Sequence, residues 1–196
     1  YGADFSALGS DNRISDVVVS NSQVTNSGMD GVNIDARNHG SIGNVDITGS
    51  TISGSSGNGV RVNAGVRYSS DSRVSGTIGN VDIEGCTLSN SGSSGVDVRA
   101  YSGSTIGSVG IAGSVISGAG ESGVYGGAYY GGTTIGNIGI TESTISGCDR
   151  GLSMGATGGG INNNIALIDS AISNSRYDGI WTAAANGGTI GKLGIT

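Results

Sequence analysis

Proline is absent from all 196 residues. Nothing in the chain therefore removes a ladder donor from the middle of a strand, and collagen, which needs Gly-X-Y with abundant proline, is excluded. Charge is scarce: 12% of residues are Asp, Glu, Lys or Arg, against roughly 25% in an ordinary domain. The net charge of −6 opposes nucleic acid as a partner, because binding it demands a basic face. Long apolar runs are missing too, so no membrane insertion is expected. Two cysteines do not make a disulfide framework, and CxxC spacing, which would point to zinc, does not occur.

Glycine is what the chain has in excess, 40 residues in all. The 35% of apolar residues is still enough for a core, which separates the chain from charged disordered tails. Low charge and a small-polar surface give a secreted or cell-surface location as the expectation.

The sequence repeats. Ser41-Ile42-Gly43-Asn44-Val45-Asp46-Ile47 returns as Thr77-Ile78-Gly79-Asn80-Val81-Asp82-Ile83, and again from Thr105, Thr134 and Thr189. One apolar column, Val24, Ile52, Leu88, Ile116, Ile145 and Ile172, serves as a ruler, with spacings of 28, 36, 28, 29 and 27. Other columns keep step with it. Val17, Val45, Val81, Val109, Ile138 and Ile165 form one, and Val32, Val60, Val96, Val124, Leu152 and Ile180 another. Ala36, Ala64, Ala100, Ala128, Ala156 and Ala184 form a third.

Apolar residues alternate within each segment, as in Val60-x-Val62-x-Ala64. Period two predicts strands with one face inward. About three short strands per repeat, separated by Gly, Ser and Asn turns, predict an all-β fold of about seven stacked coils of ~28 residues. Such a coil is long enough for three faces, and the crossover rule makes it right-handed. The expected organisation is an N-terminal edge segment over 1–13 and one β-helix domain over 14–196. Leu193-Gly194-Ile195-Thr196 stops in mid-coil. That predicts an uncapped end, met by more of a longer solenoid or by another copy.

This pattern resembles the right-handed parallel β-helix repeats of the pectin-lyase-like superfamily, and is closer to bacterial, archaeal and phage surface solenoids than to the enzymes. The resemblance covers the chain from about Ile14 to Thr196. It implies a fold and leaves the function open, since one fold hosts many functions. The local signatures of the polysaccharide enzymes with this fold (Asn-Thr-Asp, Gly-His-Gly, Arg-Ile-Lys and the proline-containing motifs) do not occur. No catalytic residue, metal ligand or cofactor is assigned on the sequence.

Three sets of columns are candidates for something more. Asn44, Asn80, Asn137 and Asn164 stack beside Ile-Gly and read as a turn ladder. Asp46 and Asp82 share an outward column that continues as Gly110 and Gly139, which reads as solvated acids rather than a calcium site. Thr77, Thr105 and Thr134 align without the paired Thr-x-Thr of an ice-binding face, and read as strand formers.

The fourth candidate is a face. Outward positions between the inward Val, Val and Ala hold Asn33, Asp35, Arg61, Asp97, Arg99, Tyr125 and Trp181, and the turn beyond holds Tyr129 and Tyr130. That turn also holds Arg37, Tyr68 and Tyr101, and Arg67, Asp71 and Arg73 fall in the insertion that lengthens one spacing to 36. Solenoids present binding surfaces as one variable face. The expected function is a structural or adhesive surface solenoid, able to self-assemble end to end. The alternative is a carbohydrate-binding or polysaccharide-cleaving β-helix using this face. Asp35 and Asp97, roughly two coils or 10 Å apart, sit near the wide end for an inverting carboxylate pair.

Overall fold

A computed structural model describes residues 1–67 and 74–196. Its strands stack as a parallel β-solenoid of about seven coils. Four sheets run along the rod. The broad sheet has seven strands: Ala3–Leu8, Val32–Arg37, Val60–Ala64, Val96–Tyr101, Ser122–Tyr129, Arg150–Thr157 and Ile180–Ala185. A corner sheet is built from two-residue strands running from Arg13–Ile14 to Thr189–Ile190. A third sheet runs from Val17–Ser20 to Leu193–Ile195, and a fourth from Gln23–Thr25 to Ala171–Ser173. Among the described residues there is no α-helix.

Every ruler residue pairs with its counterpart one coil on: Val24 with Ile52, Ile52 with Leu88, and so to Ile145 with Ile172. The chain makes four strands per coil where alternation alone suggests about three. The extra one is the Ile42–Ile78–Ile106–Ile135 corner, too short to show a period but paired in register on its own. Residues of the expected edge segment supply the first strand of the broad sheet, Ala3–Leu8 against Val32–Arg37.

The core lies inside the four walls. Ile34, Ile47, Ile52, Ile83, Ile106 and Ile140 are sealed, each contributing roughly 2 kcal/mol by burial. The glycine column before the broad strands is set by close approach. A Cβ on Gly95 would lie 2.4 Å from Ile116 Cγ2 and 2.7 Å from the Gly123 carbonyl, closer than atoms can sit without displacement. Two core positions break pattern. Gly126 leaves a gap that the Met154 thioether fills, since a Cβ there would be 2.4 Å from its sulfur. Asn162 replaces isoleucine in the corner column, fully buried, and its Nδ2 donates to the Gly155 carbonyl at 2.8 Å.

Candidate functional site

The outer surface of the broad sheet collects the candidate residues. Because all seven strands are in register, its side chains form rows along the rod. One row reads Asp4, Asn33, Arg61, Asp97, Tyr125, Ser153, Trp181. Beside it runs Asp35, Asn63, Arg99, Gly127, Gly155, and beyond that Tyr101 pairs with Tyr129. The expected face is thus brought together, with Tyr130 next to Tyr129 at a left-handed φ of 74°. Tyr68, Asp71 and Arg73 lie outside the described residues.

Much of this outward face is nevertheless dry. Asn33, Asp35 and Asp97 are only 3%, 5% and 2% exposed. Successive members of a row lie one coil pitch apart, about 4.8 Å, so long Arg and Tyr side chains reach and cover their neighbours, as Arg99 does Asp97 and Tyr125. The buried acids are engaged accordingly. Arg99 Nε donates to Asp97 Oδ1 at 2.7 Å, and Arg37 Nε to Asp35 Oδ1 at 2.7 Å. Asn63 Nδ2 also donates to Asp35, at 3.0 Å. Burial raises the Asp97 carboxyl above its usual range, against the pull of Arg99 and then Arg61. Asp35 and Asp97 are thereby committed to holding arginines in place.

The arginines in turn organise aromatic rings. The Arg99 guanidinium sits 4.7 Å from the Tyr125 ring centroid. Tyr101 and Tyr129 stack at 5.0 Å with 14° between planes. The Tyr125 and Tyr129 hydroxyls are in hydrogen-bond contact. Burial raises the Tyr129 phenol, and the bond to Tyr125 adds to that shift. Further along, Arg150 lies 5.4 Å from the Trp181 centroid and pairs with Asp178 at 3.2 Å. Trp181 is 38% exposed. Tyr125 forms a wall between two hollows of about 150 Å³ each. The one on the Tyr129 side is lined by Arg67, Arg99, Tyr101 and Tyr130.

The asparagine columns make a different kind of ladder from side chains stacked on side chains. Asn44 Oδ1 accepts from the Asn80 backbone N–H at 3.2 Å, and Asn80 Oδ1 from Ser108 N–H at 3.0 Å. Asn137 serves Asn164 and Asn164 serves Lys192 in the same way. Each amide satisfies a turn donor of the next coil. Asp46 and Asp82 pair in register, and Asp82 is raised by partial burial, then by Asp46 and Glu84. Among the described residues no group of three potential ligands is arranged for a metal.

A second ladder has no obvious signal in the sequence. Ser114 Oγ accepts from Cys86 N–H, Ser143 Oγ from Ser114 N–H, and Ser170 Oγ from Ser143 N–H, at 3.0 to 3.1 Å. Each hydroxyl donates to the carbonyl two residues back: Ala112, Thr141 and Ile168. Cys86 occupies this serine column, its thiol 3.3 Å from the Glu84 carbonyl. Cys148 lies in another column, and both thiols are free and buried.

No protein-family model, curated protein or solved structure matches the chain. The resemblance to the pectin-lyase-like superfamily therefore rests on the coil pattern, and the site on its own chemistry.

Proposed function

We propose that the chain is a structural or adhesive β-solenoid of an extracellular surface, and that the outer face of its broad sheet grips polysaccharide. One observation carries this reading. Tyr125, Tyr129, Tyr130 and Trp181 lie along a single face, with Tyr101 buried against Tyr129, interleaved with Arg61, Arg99 and Arg150. The outward positions of the third sheet run instead through Asp82, Gly110, Gly139 and Ala166. Aromatic rings with a polar edge suit sugars, whose C–H faces stack while their hydroxyls take hydrogen bonds. Buried Asp97 and Asp35 support the face from beneath, which fits preorganised binding better than acid–base turnover. Affinity electrophoresis through gels loaded with different polysaccharides tests it. Retardation by at least one polysaccharide is expected, and it should fall when Tyr125 and Trp181 are both changed to Ala. Retardation by none, or retention untouched by the double change, would overturn the reading.

A second reading, end-to-end assembly, is favoured by the last coil. Leu193 and Ile195 are 38% and 59% exposed, whereas Ile165 and Leu167 beneath them are 1% and 5%. A further coil, from the same chain or from a second copy, would seal this row. Electron microscopy of the concentrated protein tests it, with filaments supporting homotypic stacking and isolated rods opposing it.

A further inference from the structure

The second hollow on the broad face differs in chemistry from the arginine-lined one. Its walls include Tyr125 and Tyr177, and its lining includes Ser122 and Ser153. These serines are 4% and 2% exposed, and both belong to the lining of the hollow. Hydroxyls in the wall of a hollow can exchange water for the hydroxyl of an incoming ligand. Glu121 and Asp149 stand at the rim. They precede the paired residues Ser122 and Arg150, which places them on adjacent coils about 5 Å apart along the rod.

The cations nearby are already engaged. Arg150 pairs with Asp178 and covers Trp181. Arg176 lies 3.7 Å from Asp149 and covers Tyr177 at 5.2 Å. Glu121, Asp149 and Asp178 outnumber Arg150 and Arg176 by one negative charge, so the rim repels anions. The volume of about 150 Å³ equals the share of roughly five waters, room for one ring and not for a chain.

We propose that this pocket is a subsite for one neutral pyranose unit of a glycan. The inference rests on the reading that the broad face binds carbohydrate, and adds which sugar chemistry enters and where. The tyrosines flank the ring. The Ser122 and Ser153 hydroxyls donate to or accept from its inner hydroxyls. Glu121 and Asp149 accept from its outer ones, and the same carboxylates reject a uronic acid.

The test is a titration of neutral methyl glycosides and neutral oligosaccharides against the folded chain, beside oligouronates at equal concentration. Fluorescence of Trp181, the sole tryptophan, is the readout, with heteronuclear NMR shifts as a second. A neutral saccharide should bind and an oligouronate should not. Tyr177→Ala and Ser153→Ala should each weaken neutral binding about tenfold with an unchanged circular dichroism spectrum. Glu121→Gln should reduce the discrimination against uronates. Three outcomes would overturn the assignment. If an oligouronate binds better than any neutral sugar, or neutral binding survives Tyr177→Ala but is lost in Arg99→Ala, the pocket is wrong and the carbohydrate face stands. If neither class binds, the pocket and the carbohydrate face fall together.

Discussion

At the scale of single residues, the rod depends on small polar groups in fixed columns. The serine ladder shows why. A hydroxyl in that column accepts from one coil and donates within its own, so two backbone groups are satisfied by a single side-chain oxygen. Cys86 fills the same place with a weaker donor and acceptor. Cys86→Ser should therefore raise stability by about 1 kcal/mol, read as a higher melting temperature. Ser114→Val should lower stability by about 2 kcal/mol, because it strands the Cys86 N–H. The thiols themselves should be quiet. Burial pushes both Cys86 and Cys148 up from the usual thiol range. At pH 8 neither should react with a thiol reagent in the native state, and both should react at once in denaturant. A fast native reaction would show that the corner is open.

At the scale of strands, inward columns were readable from the sequence and outward burial was not. Val, Ile and Ala at period two announce which side faces in, and every ruler residue pairs as the columns predict. Alternation cannot say whether the opposite side is wet. Asp97 stands between inward Val96 and Val98, where alternation marks it as outward, and its burial comes instead from Arg99 beside it and from Arg61 and Tyr125 on the coils below and above. Asn162 and Met154 escape the pattern for a related reason: Met154 answers a gap on the neighbouring coil at Gly126, and Asn162 the Gly155 carbonyl in its own. The serine ladder hides because serine is common in turns as well. Asp97→Ala should cost about 3 kcal/mol, by leaving Arg99 without its partner in a desolvated place. Gly95→Val should cost more than that, because the clash is with backbone and a core isoleucine, and urea unfolding should rank the two in that order.

At the scale of the whole molecule, stability is expected to vary along the rod. Interior coils are paired above and below, while the first broad strand, Ala3–Leu8, and the last, Ile180–Ala185, each have one partner. In a quasi-one-dimensional fold the free energy is a sum of coil and neighbour terms. Hydrogen exchange should be slowest for Val96–Tyr101 and Ser122–Tyr129 and fastest for the final coil, and uniform exchange along the rod would contradict that picture.

The ladder bonds of all four sheets point along the rod, from one coil to the next. A load applied to the two chain ends therefore meets those bonds lengthwise and a few at a time, as in unwinding a spring. Extension in an optical trap should proceed in steps, each releasing one coil. The 28-residue turn from Val24 to Ile52 would add about 95 Å of contour, and the 36-residue turn from Ile52 to Leu88 about 120 Å. An anchored rod of this kind would yield gradually under drag and rewind when the drag falls.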